Sequence, residues 1–205
     1  MTKPNPYQAL IWDMGGVLVR NMDPQTRGRL AAPYGLTSMD LENLVFGNEV
    51  ALKASVGQAS EADSWNFVQK KLNIPPEQMP EFIETFFNCD KFDQDLYTFT
   101  MQLKPNYQIG LLSNASPETR ARLARHFPHF YEMFDVTIFS AEVGVAKPDP
   151  EIYLKIIDRL GVKAAACIFV DDFIENIEGA RAVGMHTIHF RSSQQVRDEL
   201  KELLL

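Results

Sequence analysis

The sequence predicts an α/β fold in which a doubly wound parallel sheet is interrupted by an inserted all-helical segment. From residue 108 onward, short apolar runs alternate with helical segments over short links, which is typical of a parallel sheet with helices on both faces. The apolar run 10–12 adds another buried strand near the start. Residues 27–92 carry helical spacing and no strand pattern, so we interpret them as an insertion.

The first strand ends at a carboxylate that is followed by two glycines. Asp13 comes directly after the apolar run 10–12, and Gly15 and Gly16 let the backbone turn sharply while leaving amide groups uncovered. Ligands of open parallel sheets bind at this end of the strands. A carboxylate among free amides can serve as a nucleophile or as a metal ligand. For this stretch alone, an acidic residue at an ordinary strand-to-loop turn explains the pattern equally well.

The helical insertion is marked by its spacing, its caps and its turns. Leu41, Leu44 and Val45 recur on one helix face, and Ser60 with the acidic residues after it is typical of a helix start. Proline and glycine interrupt the pattern at 33–35, 57 and 75–76. We therefore expect two domains, an α/β core formed by residues 1–20 and 93–205 and a helical domain formed by residues 21–92.

The second half of the chain supplies the remaining strands and helices of the core. Ser116 and Pro117 have the residue types of an N-cap and a first helical position. Gly161 and Gly184 are placed to end helices. The expected elements are strands at 108–112, 136–139, 167–170 and 186–190, and helices at 117 onward, 150–160, 174–183 and from about 191 to 205.

Composition excludes several classes of protein. The chain has 205 residues, 45% of them hydrophobic, which suits one large domain or a core with an insertion. Its net charge of −7 without a basic run argues against a nucleic-acid partner, and no apolar run is long enough for a membrane span. Cys89 and Cys167 lie far apart and imply neither a disulfide nor a zinc site. Residues 1–8 are polar and unlike a signal peptide, so we expect a cytoplasmic protein.

Four groups of reactive side chains fall where predicted strands or their loops reach the same edge of the sheet. They are Asp13, the pair Ser113 and Asn114, Lys147 in the loop 142–148, and the pair Asp171 and Asp172. Each alone has a structural explanation, as a helix cap or as a solvated loop residue. Together they suit phosphoryl transfer through a covalent aspartyl intermediate, with carboxylates on Mg²⁺ and with hydroxyl, amide and ammonium groups on the phosphate.

In these motifs the chain resembles the haloacid dehalogenase-like hydrolase superfamily over nearly its whole length. The family's four motifs are matched in order by the segments 13–18 (Asp-Met-Gly-Gly-Val-Leu), 111–114 (Leu-Leu-Ser-Asn), 144–149 (Gly-Val-Ala-Lys-Pro-Asp) and 169–176 (Phe-Val-Asp-Asp-Phe-Ile-Glu-Asn). The resemblance implies a Rossmann-like core, with the helical insertion as a cap that closes over the site and shapes the choice of substrate.

The resemblance also implies roles for the residues. Asp13 would be the nucleophile and a Mg²⁺ ligand, together with the carbonyl of Gly15 and the carboxylate of Asp172, while Asp171 would act on the metal directly or through another ligand. The phosphate would be held by Ser113, Asn114, Lys147 and the Gly16 position. Lys147 would also steady the Asp13 carboxylate, and the role of Asn176 stays open. The implied function is a Mg²⁺-dependent phosphatase acting on a small phosphorylated metabolite.

Gly15 departs from the family pattern. Phosphatases of this family usually carry a second aspartate there, which protonates the leaving group and activates water. Positioned acid–base catalysis contributes roughly 10²–10⁴-fold, and glycine supplies none of it. We therefore hypothesise that esters with a good leaving group, such as a sugar 1-phosphate, are favoured.

Two alternative functions stay open at this stage. A 2-haloacid dehalogenase needs neither a metal nor an acid, which would explain Gly15, but such relatives carry neutral residues in place of Asp171 and Asp172. A regulatory module that binds phosphate without turnover is the second alternative. Arg20 is a further candidate for contact with a substrate anion, although pairing with a neighbour such as Asp23 explains it as well.

Overall fold

The computed structural model of the protein describes residues 5–204. Part of the expected polar N-terminal segment (residues 1–4) and the last residue of the expected C-terminal helix (Leu205) lie outside the described residues. In chain order, the strands are β1 (Ala9–Trp12), β2 (Val19–Asn21), β3 (Asp90–Phe92), β4 (Gln108–Ser113), β5 (Val136–Phe139), β6 (Cys167–Asp171) and β7 (His186–His189). The α-helices are α1 (Pro24–Ala31), α2 (Ser38–Phe46), α3 (Glu49–Ala54), α4 (Glu61–Leu72), α5 (Met79–Asn88), α6 (Gln94–Leu103), α7 (Thr119–His126), α8 (Ser140–Val143), α9 (Pro150–Leu160), α10 (Ile174–Ala182) and α11 (Ser193–Leu204).

The central sheet confirms the predicted parallel, doubly wound architecture. Its strand order is β5-β4-β1-β6-β7, and every neighbouring pair is parallel. The first strand lies in the middle of the sheet, and all four of its residues are apolar and buried, as expected for a strand covered on both faces. Trp12 is in register with Leu111 on β4 and with Val170 on β6, so the residues that follow each of these positions emerge side by side at one edge.

The two faces of the sheet bury alternate residues of β1. Leu10 and Trp12 pack into a core shared with α6, α7 and α11, whereas Ala9 and Ile11 pack into a second core shared with α9 and α10. Trp12 is completely buried, and full burial of a large apolar side chain contributes roughly 2–3 kcal/mol. The strand is therefore held from both sides, which fixes the position of the residue that follows it.

Helices α1 to α5 form a separate layer with its own core. Trp65, Phe82 and Phe86 are the large buried aromatic residues of this core. The chain enters and leaves this layer through the antiparallel pair β2–β3, in which Val19 pairs with Phe92. Of the boundaries that we propose between core and cap, the one after residue 20 falls within β2 and the one before residue 93 falls at the end of β3.

Helix ends agree with the sequence in the cap and differ at α7. Ser60 caps α4 in a reciprocal capping box with Asp63, as predicted. Helix α7 begins at Thr119 rather than at Pro117, and its N-cap residue makes no side-chain capping bond. The reason is that the Ser116 hydroxyl is used elsewhere: it donates to Glu61 of the cap (3.0 Å) and contacts the hydroxyl of Thr119 (3.0 Å).

Two expectations from composition can also be compared with the structure. Cys89 and Cys167 are both buried free thiols. Among the helices of residues 5–204, none is both long enough and apolar enough to cross a membrane.

Candidate active site

Asp13 and Lys147 form the centre of the site, although 134 positions separate them in the sequence. Asp13 follows β1 and is only 5% exposed. The Lys147 Nζ atom lies 2.6 Å from Asp13 Oδ1 and 2.7 Å from Asp171 Oδ2, so one ammonium group bridges two carboxylates. The structure thus brings together three residues that the sequence predicted to share one edge. The bridge holds Asp13 through one oxygen and leaves its second oxygen for other chemistry.

The two carboxylates at the end of β6, Asp171 and Asp172, have different surroundings. Both oxygens of Asp171 accept hydrogen bonds, from Lys147, from the Asn176 side-chain amide (3.0 and 3.1 Å) and from the Phe173 backbone (2.8 Å). Asp172 Oδ1 is buried and has no hydrogen-bond partner within residues 5–204. This arrangement gives Asn176 a place in the site, since its amide orients Asp171. It also makes Asp172 the carboxylate with an oxygen left to bind a cation.

The two glycines of the first loop meet different surroundings. Gly16 has φ +77°, and a Cβ there would lie 2.1 Å from Asp172 Oδ2, so only glycine lets Asp172 pack against this turn. The Gly16 amide donates to the Val19 carbonyl (3.1 Å), which closes the turn. The bond engages the amide of Gly16, a position that we expect to help hold the phosphate. A Cβ on Gly15 would meet no atom within 4 Å.

Ser113 is the last residue of β4, and Asn114 follows it. Ser113 is 2% exposed and is in register with Phe139 at the end of β5. The Asn114 side chain accepts from the Lys147 backbone amide (2.8 Å) and donates to the Lys147 carbonyl (2.9 Å). The oxygen and one N–H of this amide therefore fix the loop that carries Lys147, and the side chain, which we expect to help hold the phosphate, is exposed.

Burial and charge shift the pKa values of these groups. Burial raises the pKa of Asp13 well above its ordinary value; Lys147 opposes this shift, and the neighbouring carboxylates add to it. Burial also raises the pKa of Asp172 to about 6, and the charge of Asp171 adds to the effect. For Lys147, burial alone would lower the pKa, but Asp13 and Asp171 outweigh it and raise that pKa. The cluster therefore holds more negative charge than its one ammonium group can compensate.

The donor atoms present fit a hard divalent cation. Asp13, Asp171 and Asp172 each offer a carboxylate oxygen, and these oxygens lie within 4.8 Å of one another. Carboxylate oxygens are the ligands that Mg²⁺ prefers. The buried, unpartnered Asp172 oxygen and the excess of carboxylates over ammonium groups are both relieved when a cation binds.

The sequence did not indicate how the cap contributes to this edge. Arg27 on α1 is 1% exposed and pairs with Glu42 on α2 (3.1 Å) and with Asp90 on β3 (2.7 Å). Glu42 is close enough to Asp172 that its charge raises the pKa of that carboxyl. No spacing signal could have found these partners, because they are 15 and 63 positions from Arg27.

Arg20 has a different partner from the neighbour that the sequence suggested. It pairs with Asp93 rather than with Asp23, and it also donates to the Ser193 hydroxyl (3.0 Å). Asp23 instead caps α1 by accepting from the Thr26 amide (2.9 Å). Arg20 therefore ties β2 to α6 and α11 and is not directed at a substrate anion.

A contact between cap and core lies beside α7. Arg122 on α7 pairs with Glu61 at the start of α4, and the Glu61 amide donates to the Glu118 carboxylate (3.1 Å). A Cβ on Gly57 would lie 2.8 Å from the Ala141 carbonyl oxygen, so the cap loop also approaches the core closely next to α8. These contacts hold the cap against the core.

Comparisons with known proteins agree with this architecture. The profile of the haloacid dehalogenase-like hydrolases matches residues 7–184. A sesquiterpene phosphatase of Aspergillus oryzae is 26% identical over 200 residues, which cover 97% of each chain. A predicted hydrolase of this family from Porphyromonas gingivalis has a similar structure (TM-score 0.75, 23% identity, 97% and 98% of the two chains).

A further structural neighbour was solved with ligands bound. It is a family member from Bacteroides thetaiotaomicron, a variant in complex with magnesium and inorganic phosphate (TM-score 0.72, 20% identity, 91% and 95% of the two chains). The structural likeness shows a shared fold, and the profile covers most of the sequence. The chain belongs to the haloacid dehalogenase-like hydrolase family and is a hydrolase.

Proposed function

We propose that this hydrolase is a Mg²⁺-dependent phosphatase that acts on a small phosphorylated metabolite through an aspartyl-phosphate intermediate. The observation that carries the proposal is the pairing of Asp13 with Lys147 beside an unpartnered oxygen of Asp172. A buried nucleophile, a cation beside it and a free ligand for a metal are the parts that phosphoryl transfer requires.

The chemistry follows from what each residue can do. Lys147 holds one oxygen of Asp13, and the other oxygen attacks phosphorus while the bond to the ester oxygen breaks. The alcohol leaves with a proton taken from solvent, since Gly15 offers none. Water then attacks the phosphorus of the aspartyl phosphate, which restores Asp13 and releases phosphate.

The other residues stabilise charge or fix positions. Asp13, Asp172 and the Gly15 carbonyl would hold Mg²⁺, which neutralises charge on the phosphate oxygens when it is bound. Ser113 at the end of β4 and the Lys147 ammonium would meet the remaining oxygens. Asn114 and Asn176 act indirectly, because they orient Lys147 and Asp171.

The carboxylate cluster also weighs against a haloacid dehalogenase. Three carboxylates around one ammonium group repel an anionic substrate unless a cation is bound with it. A dehalogenase that works without metal would gain nothing from this cluster. The fold by itself does not separate the two activities.

The test is hydrolysis of 4-nitrophenyl phosphate by the whole protein, with Mg²⁺ and then with a chelator. Asp13→Asn should abolish turnover while its melting curve stays cooperative, and Glu175→Gln, the same chemical change at an exposed carboxylate, should leave the rate unchanged. A panel of sugar 1-phosphates and other phosphomonoesters would follow. It would include a sesquiterpenyl phosphate, because the relative from Aspergillus oryzae is a sesquiterpene phosphatase.

Turnover that survives either the chelator or Asp13→Asn would contradict the proposal. Hydrolysis of a 2-haloacid without metal would support the dehalogenase instead. Binding of phosphate and Mg²⁺ without turnover of any ester would support a regulatory module.

A further inference from the structure

The cap and the core share a closed cycle of four hydrogen-bonded side chains just after the end of β4. Three members, Ser116, Thr119 and Arg122, belong to the core, and the fourth, Glu61, is the first residue of α4 in the cap. Thr119 is buried, and the side chains of Glu61 and Arg122 are only 19% and 16% exposed. Polar groups withdrawn this far from solvent depend on one another for their hydrogen bonds. We call these four residues the Glu61 cluster.

The hydrogen bonds of the cluster run in one direction and end on Glu61. The Ser116 hydroxyl donates to Glu61 Oε2 (3.0 Å), which uses its only proton, so Thr119 is the donor in the contact between the two hydroxyls (3.0 Å). The Thr119 oxygen accepts from Arg122 Nη2 (3.2 Å), and Arg122 Nη1 pairs with the same Glu61 oxygen that Ser116 uses. The Glu61 carboxylate is therefore the acceptor that sets the direction of every bond in the cluster.

Further contacts hold Glu61 and Arg122 in place. Glu61 Oε1 accepts a longer bond from the Trp65 indole (3.4 Å), one turn further along α4, and the Glu61 amide donates to the Glu118 carboxylate (3.1 Å). The Arg122 guanidinium lies 4.0 Å from the centroid of the Phe87 ring on α5. Arg122 thus reaches from the core to two residues of the cap, and the cluster holds the start of α4 against α7.

The loop after β4 connects the Glu61 cluster to the candidate active site. Ser113, which we expect to meet a phosphate oxygen, is the last residue of β4, and Ser116 lies three residues further along the chain. The residues between them, 114–115, are hydrogen-bonded to Lys147 and to the Ser140 hydroxyl (2.9 Å), both in the core. The loop 113–116 is therefore held by the core in its middle and by the cap at its end.

Glu61 is also the polar attachment of the cap helices to the core. Within residues 5–204, every side-chain hydrogen bond or ion pair that joins helices α1–α5 to residues 93–204 involves Glu61. A displacement of α4 away from α7 would separate Glu61 from Ser116 and would leave the Ser116 proton without its acceptor. The position of the cap is thus linked to the loop that carries Ser113.

We propose that Glu61 is a positioning residue, through which the cap fixes the loop 113–116 and with it the Ser113 hydroxyl that binds phosphate. This inference rests on the proposed phosphatase function and adds a residue of the cap to it. Glu61 acts through Ser116 and does not touch the reacting atoms. The phosphate site is complete only while Glu61 accepts the Ser116 proton, so phosphate binding depends on the placement of the cap.

The experiment measures hydrolysis of 4-nitrophenyl phosphate and its inhibition by inorganic phosphate, with the whole protein and saturating Mg²⁺. Glu61→Ala should raise the inhibition constant of phosphate by about fivefold or more, because complete loss of one hydrogen bond to a charged group corresponds to roughly 10–100-fold. The value of kcat/KM should fall by at least the same factor. A variant that only loses stability keeps the inhibition constant of its folded molecules, so this constant separates positioning from folding, which thermal melts follow.

Further variants test the route and supply the control. Ser116→Ala keeps the ion pair between Glu61 and Arg122 but removes the link to the loop, so it should raise the inhibition constant by a similar factor. The double variant Glu61→Ala/Ser116→Ala should show no further increase, since both changes break the same link. The matched control is Asp95→Ala, which also removes a first-turn carboxylate from a helix, α6, and breaks its pair with Arg197 (3.5 Å). It should leave the inhibition constant unchanged.

The outcomes separate the two proposals. If Glu61→Ala binds phosphate and hydrolyses the ester as well as Asp95→Ala does, or if Ser116→Ala has no effect, the positioning role is refuted and the phosphatase stands. If the wild type does not hydrolyse the ester under any condition, the phosphatase function itself fails.

Discussion

Restoring an acid at position 15 is the sharpest test of how this site works. Gly15 has no left-handed backbone conformation, and a Cβ there would meet no atom within 4 Å. Gly15→Asp should therefore fold without strain. The new carboxyl group would stand near Asp13, Asp171 and Asp172, whose negative charge favours its protonated form and so its use as an acid.

The expected gain follows from the chemistry that is missing. A well-positioned acid contributes roughly 10²–10⁴-fold, or about 2.7–5.4 kcal/mol of barrier. No neighbour is placed to fix the new side chain, so we expect a gain at or below the lower end of that range, about 10–100-fold. The gain should appear with benzyl phosphate, a poor leaving group, and be under about twofold with 4-nitrophenyl phosphate, which leaves without protonation.

The assay is kcat for both esters in the wild type, in Gly15→Asp and in Gly15→Asn. The asparagine variant has the same shape but supplies no proton, so it should resemble the wild type. Equal acceleration of both esters, or the same gain with asparagine, would refute the argument that proton donation is what position 15 lacks. Thermal melts of the three proteins check that folding is not the cause.

Four further predictions concern the charges and the turn. Lys147→Met leaves two buried carboxylates without a counter-charge and should lower the free energy of unfolding by about 3–5 kcal/mol. The control Lys155→Met, at an exposed pair with Glu151, should lower it by under about 1 kcal/mol. Urea titration measures both losses, and equal losses would contradict the bridging role of Lys147. Burial raises the pKa of Asp172 from 3.8 to about 6, so the stability of the metal-free protein should fall as pH rises through that interval. Mg²⁺ binds the deprotonated carboxylates, so it should raise the melting temperature more at about pH 7.5 than at about pH 5; the same rise at both would count against this site. Gly16→Ala would place a Cβ 2.1 Å from Asp172 and should reduce kcat/KM by about 100-fold or more, while Gly35→Ala, also at positive φ but with open space around it, should change only stability.

The sheet and its reactive edge could be predicted because local signals agreed. Apolar runs of four to six residues ended in polar side chains at Asp13, Ser113 and Asp171, and parallel strands bring such ends together. The order of the strands confirms that reasoning, with β1 between β4 and β6. The capping box at Ser60 was visible for the same reason, since its partners lie three residues apart.

The side-chain contacts that could not be predicted join residues that are distant in the sequence. Asp93 competes successfully with the nearby Asp23 for Arg20 from 73 positions away. The use of Asn114 on the Lys147 backbone could not be foreseen, because an amide before a helix suits a phosphate ligand equally well. Glu42 shows no motif at all, and only the packing of α2 brings it near Asp172.

The ribbon β2–β3 has a consequence for how such a protein can change over time. The chain leaves the core at Asn21 and returns at Asp90, two residues that pair directly across the ribbon. The helical layer is thus an insertion whose two ends lie side by side, so a different insertion could replace it without rearranging the strands of the core. Under the proposed function, exchange of this layer would change the alcohol that is recognised, while Asp13, Lys147 and Asp172 would keep their places at the edge of the sheet.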